Sequence, residues 1–411
     1  MKNSVVVLAG QEVGSLLKEF AHSYGYDFIL VQSAELAARK ATVTTPVLIV
    51  IDTAYPHFSR EDLDLMIEEN PHVRSVPLLL LSNREASPDS GLKREFHYVE
   101  VIDRNDPGAA LSEAVAKHLE PALGVRFWGV RGSTPCPNLE HMKYGGNTTC
   151  LEILPSSGKE LLILDSGTGI RNLGRRLERY ATGPIHGDIF ITHPHWDHIQ
   201  GFPFFRPFYS KGNRFKVHMP GQYRGGAEEI LAGHMTKTFF PVTLDMFSAD
   251  ISYVTQSPEP IAGNGYTISY MMANHPTRTA AYKIELDGNV IVFAPDNELD
   301  PEPGPVSFIK EFEAFIEGCD LLIHDAQFSR SNYDSRKGWG HSAWEQVVEV
   351  ARRCNIPRLY LTHHDPDSTD RHLDEIDRKL EEYRKSSFER LELAREGAVV
   401  KLPVRENAGT A

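Results

Sequence analysis

Residues 193–198 read His-Pro-His-Trp-Asp-His, three imidazoles and one carboxylate within six positions. They follow Gly187-Asp188-Ile189-Phe190-Ile191-Thr192, an apolar run with the character of a buried strand. Side chains alternate along a strand, so His193 and His195 leave its end on the same side and can grip one cation from one edge. The turn that follows can aim Asp197 and His198 at a second cation close by. Thiolates are absent from the cluster, which therefore suits zinc, iron or manganese better than a cysteine-rich structural zinc. A centre of two cations needs more than four ligands, so the rest of the chain must fold to bring others to the same edge.

Three later positions meet that demand. His275 follows the strand-like YTISYMM (266–272), Asp296 follows VIVFAP (290–295), and His363 follows LYLT (359–362). Three separate strands ending in a His or Asp are the arrangement expected when one edge of a sandwich holds a metal centre. His364 competes with its neighbour, and His363 is preferred because it directly follows Leu361-Thr362.

At 411 residues and 41% hydrophobic content, the chain can form two domains with proper cores. Its formal charge is −13, from 43 basic and 56 acidic residues. That balance argues against a nucleic-acid polymer as partner, which needs basic surface to displace counterions. It admits a small anionic substrate, because two divalent cations make a locally positive pocket. Cys136, Cys150, Cys319 and Cys354 form no CxxC pair, so a reducing, cytoplasmic location without disulfides is expected. The apolar start of the chain is too short for a signal peptide or membrane span, and no membrane partner is expected.

Residues 1–121 alternate strand and helix signals. Strands are expected at VVVLAG (5–10), FILV (28–31), VLIVID (47–52), VPLLLLS (76–82) and YVEVID (98–103), with helices near 12–23, 33–40, 60–69 and 107–119. Continuous apolar strands separated by short helices predict a parallel, doubly wound (βα)5 sheet. This part resembles a response-regulator receiver domain, in which Asp52 would be the phosphoacceptor and Ser82 the switch residue. The resemblance fails where the chemistry needs it. The first strand runs into Leu8-Ala9-Gly10-Gln11-Glu12 rather than acidic residues, and the fifth into Ile102-Asp103-Arg104 rather than a lysine. The domain is therefore read as a degenerate receiver that serves dimerisation or partner binding, with a homodimer as one outcome and Asp52 as a strand-end residue capping a turn.

From residue 124 to 404 the pattern changes to short strands, Gly-rich turns and dispersed histidines, before a tail at 405–411. FWGVRGSTP (127–135), YGGNTTCLEIL (144–154) and LLILDSGTGIRNLG (161–174) read as antiparallel strands and turns leading to a helix. Leu373, Ile376, Leu380 and Tyr383 fall at helical spacing and mark the packed face of a surface helix.

The order HxHxDH, then His, Asp and His at later strand ends, resembles the metallo-β-lactamase superfamily, an αββα sandwich. That resemblance implies two divalent metal ions, zinc first, with manganese or iron as alternatives. His193, His195, His275 and Asp296 would hold one, and Asp197, His198, Asp296 and His363 the other. LIHDAQ (322–327) followed by GHSAWEQ (340–346) is similar to the paired segments of the superfamily's phosphodiesterase branch. There the second histidine, here His341, protonates the leaving oxygen, held by Asp325 or a neighbouring carboxylate, while a metal-bound hydroxide attacks phosphorus and Asp197 helps orient it. Members that trim tRNA carry a long gripping arm, usually between the third His and the bridging Asp. Only twenty residues lie between His275 and Asp296, enough for a hairpin turning at Asp287-Gly288. The resemblance thus implies a phosphodiesterase acting on small cyclic phosphodiesters, cyclic nucleotides first. A thioesterase or lactonase of the same fold is the alternative, as is a signalling protein with the hydrolase as its regulated output. Residues 202–248 read as an insertion whose aromatics, Phe205 among them, could stack on a purine or equally form a core or dimer contact beneath a loop-rich lid. Arg131 and Asn147 are candidates to contact a phosphate or to brace the site.

Overall fold

The computed structural model divides into two compact units, residues 1–121 and 122–411. It describes residues 3–23, 26–33, 35–37, 40, 45–54, 61, 64, 73, 76–82, 99–105, 108–119, 122–158, 160–181, 183–299 and 306–405.

In the first unit, β1 (Asn3–Leu8), β2 (Asp27–Val31), β3 (Thr45–Asp52), β4 (Leu78–Ser82) and β5 (Val99–Asp103) pair in parallel in the order β2-β1-β3-β4-β5. Helices α1 (Gln11–Ser23) and α2 (Gly108–Leu119) bury Leu17, Ala21, Leu111 and Val115 against Val5, Val7, Val50 and Leu79 on one face. The alternate residues Val6, Leu8, Ile49, Ile51, Leu78 and Leu80 form a second core on the other face. A sheet covered on both sides needs apolar residues at every position, which is why β3 and β4 are unbroken aliphatic runs. The strand order is the flavodoxin-like one, a class broader than receivers. The helix expected at 33–40 lies partly outside the described residues, and the one near 60–69 almost wholly so. Asp52 ends β3, where its Oδ1 accepts from Arg104 Nε at 2.8 Å and from the Ala54 backbone N–H at 3.1 Å. Arg104 thus already holds this carboxylate.

The second unit is a sandwich. β6 (Ala122–Gly129), β7 (Cys150–Leu154), β8 (Leu162–Leu164), β9 (His186–Phe190), β10 (Arg214–Pro220) and β11 (Asp250–Gln256) lie side by side in one sheet. β12 (Ile261–Ala262), β13 (Tyr266–Met272), β14 (Ala280–Leu286), β15 (Asn289–Ala294), β16 (Leu321–Asp325), β17 (Arg358–Thr362) and β18 (Arg390–Leu393) form the other. The last strand, β19 (Val399–Pro403), returns to pair antiparallel with β6. Strand alternation builds the layers. Leu123, Val125, Phe127, Leu164 and Phe190 meet Tyr282, Ile291, Phe293, Leu321 and Ile323 between the sheets. Their neighbours Ile163, Ile189 and Ile191 face outward to Ile170 and Leu173 of α3 (Ile170–Tyr180). Val292, Leu322 and Leu361 face outward on the other side, toward α6 (Val306–Ile316), α8 (Trp344–Arg353) and α9 (Asp370–Ser387). Between α3 and α6 in sequence come α4 (Trp196–Ile199) and α5 (Ala227–His234), and α7 (Arg330–Tyr333) precedes α8. Each of these buried aliphatic or phenyl side chains contributes roughly 1.5–3 kcal/mol by leaving water.

Leu373, Ile376 and Leu380 on α9 are buried in the outer core, with Tyr383 partly buried beside them. Asp287 and Gly288, at φ 51° and 70°, turn β14 back into β15, and both conformations suit a two-residue hairpin. The interval from His275 to Asp296 therefore holds a hairpin and no arm. The reading of 202–248 as an insertion needs correction. It contains β10, a full strand of the first sheet paired in parallel with both β9 and β11. Phe202, Phe205 and Phe208 are fully buried in the core beneath α3. Among the described residues no helix is long and apolar enough to cross a membrane.

Candidate metal centre

Each candidate ligand sits just beyond a strand end, on one edge of the sandwich. Thr192 and His193 follow β9; the Asp197 and His198 side chains are presented by the single turn of α4. His275 lies between β13 and β14, Asp296 two residues past β15, and His363 directly after β17. Donor atoms of His193, His195, His275 and Asp296 fall within 4.8 Å of one another, as do those of Asp197, His198 and His363. Asp296 links the two groups. Its Oδ2 is 3.6 Å from His193 Nε2 and 3.7 Å from His275 Nε2, and its Oδ1 is 3.1 Å from both His198 Nε2 and His363 Nε2. Asp197 Oδ2 completes the second group at 3.3 Å from His198 and 3.0 Å from His363. In the first group, His195 Nδ1 and His275 Nε2 are 3.2 Å apart.

Two observations test whether cations fit. Four nitrogen or oxygen ligands at about 2.0–2.1 Å from zinc stand roughly 3.3 Å from one another in a tetrahedron, and the spacings above, 3.0–3.7 Å, bracket that value. In addition, His193 Nε2, His198 Nε2 and Asp296 Oδ1 are buried without a hydrogen-bond partner. Three adjacent orphaned polar atoms are costly unless something else satisfies them. The charges agree. Burial pulls the His193 pKa well down, with neighbouring His198 adding to it, so the ring is neutral and able to ligate. Burial would raise Asp197 and Asp296, but the surrounding histidines hold both carboxyls well below the usual range. Burial disfavours charge on His198, yet Asp197, Asp296 and Asp165 together reverse this and call for positive charge at that spot. The donor set fits divalent metal ions.

The surroundings fix the ligands' orientation. Asp165 Oδ2 lies 2.8 Å from His198 Nδ1 and its Oδ1 accepts from the Thr192 backbone N–H at 2.7 Å. Gln327 Oε1 is 3.2 Å from His363 Nδ1, Gly340 O is 3.1 Å from His275 Nδ1, and Thr277 Oγ1 is 3.0 Å from His195 Nε2. Such partners fix the ring tautomer and raise ligand basicity. None was anticipated from sequence. Asp165 carries the signal that could have found it: an acidic residue directly after the apolar strand Leu162–Leu164, the pattern that revealed Asp296. The FWGVRGSTP segment also meets the centre through its backbone. Ser133 N–H donates to Asp197 Oδ2 at 2.7 Å, and a Cβ on Gly132 would stand 2.4 Å from the His363 ring. His363 itself has φ 60°, a strained value for a histidine and one that turns its ring to the cluster. His364 goes the other way. Its Nε2 lies 2.9 Å from Ala394 O, and burial drives its pKa down to about 3.

His341 stands beside the cluster. Its Nδ1 is 2.9 Å from Asp325 Oδ2 and 4.0 Å from Asp296 Oδ2. Burial alone would lower its pKa, but the charge and hydrogen bond of Asp325, then Asp296 and Asp197, outweigh this and push it up to about 9. The loop bringing it there is held by Glu298, which accepts from Gly338 N–H and Gly340 N–H, at 2.8 and 2.9 Å. Gly340 has φ 89°, and a Cβ there would stand 2.0 Å from His275 Nδ1.

Residues 162–364 match the family model described as "Beta-lactamase superfamily domain". This stretch is a metallo-β-lactamase superfamily domain. Ribonuclease Z of Haloarcula marismortui is 24% identical over 285 residues, covering 59% of this chain and 86% of that protein. Ribonuclease Z of Thermoplasma acidophilum is 25% identical over 289 residues, covering 60% and 88%. The crystal structure of a diphosphatase from the PhnP family shares the fold, with a TM-score of 0.50 and 17% identity over 69% of this chain and 98% of that one. The chain is a metal-dependent hydrolase of this fold.

Three expectations are corrected. A nucleic-acid polymer was not expected as partner, yet the relatives above are ribonucleases, enzymes of such a polymer. Whole-chain charge misled, because it averages over surfaces: α3 alone carries Arg171, Arg175, Arg176 and Arg179 against Glu178. Arg131 is fully buried, and its guanidinium donates to the carbonyls of Gly145, Asp365 and Ser368, so it braces three loops and has no face for a phosphate. Phe205 is likewise fully buried, its ring centroid 4.9 Å from Phe208 and 5.5 Å from Phe215, so it packs in the core and cannot stack on a base. Asn147 Nδ2 donates to Glu396 Oε1 at 2.6 Å, tying two chain segments.

Proposed function

We propose that this domain is a two-metal phosphodiesterase in which His341 is the general acid. His193, His195, His275 and Asp296 would hold one divalent cation, and Asp197, His198, His363 and Asp296 the other. When bound, two such cations neutralise the phosphoryl oxygens and lower the pKa of a nucleophilic water. The observation that carries the reading is the seat of His341. Asp325 engages its Nδ1–H and favours the charged ring, which leaves Nε2–H to be handed to a departing alkoxide. A carbonyl substrate with a good leaving group has no need of such an acid, whereas an alkoxide leaving phosphorus does. Asp197, tied to Ser133 N–H, keeps the edge of the pocket fixed. Small cyclic phosphodiesters are supported by the short hairpin between His275 and Asp296, and RNA by the relatives. Both present the same bond to the same residues.

The test is hydrolysis by metal-loaded protein of cyclic AMP, a short RNA, bis(p-nitrophenyl) phosphate and a thioester. Phosphodiester turnover is expected, and His341→Ala should lower it about 100-fold or more for alkoxide leaving groups while sparing p-nitrophenolate. Turnover of the thioester alone would overturn the assignment, and equal losses with both leaving groups would remove His341 from the acid role.

A further inference from the structure

A cavity of about 550 Å³, lined by none of the metal-centre residues, lies between α3 and the chain at 203–209. Arg171, Arg175 and Arg206 line it together with Phe204, Tyr209 and Phe240. We propose that it is a nucleotide-binding subsite, in which the arginines take a phosphate and the aromatic rings take the base.

The charge of this cavity departs from that of the chain. The protein carries −13 overall, yet among the described residues three arginines and no carboxylate line this space. Arg171 and Arg175 stand four residues apart on α3, where like charges face each other and repel. Among the described residues neither guanidinium makes an ion pair or hydrogen bond, while Arg206 has Glu178 at 3.0 Å. An anion between them would relieve that repulsion, and planar guanidinium groups match phosphate oxygens in pairs.

The aromatic wall goes beyond what a bare anion needs. Phe204 and Tyr209 are 46% and 39% exposed, although both belong to a segment that buries its other phenyl rings completely. They are also fixed. The Tyr209 hydroxyl donates to Pro203 O at 2.7 Å, and the Phe204 ring meets Phe240 edge-on at 5.3 Å. Pre-positioned rings beside basic side chains are how single-stranded nucleic acids and nucleotides are held, by stacking and backbone neutralisation together.

Both walls grow from segments that carry the metal centre. Phe204 comes six residues after His198, and α3 begins five residues after Asp165, which holds that histidine. Gly201 N–H donates to Ser166 O at 2.9 Å, fastening the two segments where they leave the centre. A neighbouring nucleotide of the substrate strand is thus one source of the ligand, a source that rests on the phosphodiesterase reading. A free nucleotide is the other source of the same chemistry.

The experiment uses the full, metal-loaded chain, with fluorescence anisotropy on a labelled single-stranded 2′-O-methyl oligoribonucleotide and competition by AMP or inorganic phosphate. Arg171→Ala with Arg175→Ala should weaken oligonucleotide binding about tenfold or more and lower its salt slope by about 0.7, the value for one phosphate no longer neutralised. Phe204→Ala should weaken the oligonucleotide and AMP about fivefold or more while leaving inorganic phosphate unchanged. Turnover of bis(p-nitrophenyl) phosphate should stay within twofold of the parent. Losses confined to AMP would name the free nucleotide as the ligand and keep the subsite. Unchanged binding of all three probes in the arginine variant overturns the proposal, as does a neutral Phe204→Ala for its base-stacking half. Failure to hydrolyse any phosphodiester would sink the phosphodiesterase reading while leaving these binding arms readable.

Discussion

Asp165 is the residue whose replacement asks most of the structure. It is fully buried, with φ 61°, at the end of β8. Asparagine tolerates that conformation and has nearly the same shape, so Asp165→Asn preserves backbone and packing. Its amide oxygen can still accept from the Thr192 N–H that lies 2.7 Å from the native Oδ1. What disappears is the negative charge 2.8 Å from His198 Nδ1. A hydrogen bond to a charged group is worth roughly 1.5–3 kcal/mol, and about 1.4 kcal/mol corresponds to tenfold in an equilibrium constant. Affinity for the cation on the His198 side should therefore fall about 10–100-fold, the range expected for a partner behind a metal-ligating histidine. Competition against a chromophoric chelator measures this directly, with circular dichroism confirming the fold. An affinity within twofold of the parent would refute the claim that Asp165 orients His198 toward a cation.

The remaining predictions concern the proton. Because His341 is raised to about 9, the acid form is complete below that value and is lost as pH rises through it, so turnover of substrates with alkoxide leaving groups should decline on the alkaline side. Asp325→Asn removes the charge that contributes most to the upward shift, and the declining limb should move about 1–3 pH units toward acid. A limb that stays in place in a pH–rate profile would separate Asp325 from the acid.

The candidate metal edge was legible because the donors it gathers are strand-end residues in a compact order, from His193 to His363. Strand ends leave their mark in sequence as an apolar run followed by His or Asp. The choice of His363 over His364 had the same basis. The first sheet was less legible: Arg214–Pro220 alternates apolar and polar residues, but the Phe- and Pro-rich turns before it disguised a strand as part of an insertion. Arg131 and Phe205 were misjudged because burial is a property of the folded chain, and a conspicuous arginine or phenylalanine reads alike inside and outside. The partner was misjudged because net charge carries no position: four arginines on one eleven-residue helix vanish in a sum over 411 residues. The supporting shell, Gln327, Thr277 and Gly340 O, depends on the meeting of distant segments and leaves no local signature.

The central claim is a centre of two cations that cuts phosphodiesters. Its most direct test is titration of metal-free protein with zinc or manganese while bis(p-nitrophenyl) phosphate hydrolysis and bound metal are followed together. The account predicts that activity rises until two equivalents per chain are bound, and that Asp296→Ala, which removes the shared ligand, abolishes both the second equivalent and turnover. Full activity at one equivalent, or two bound equivalents with no phosphodiester hydrolysis, would contradict it.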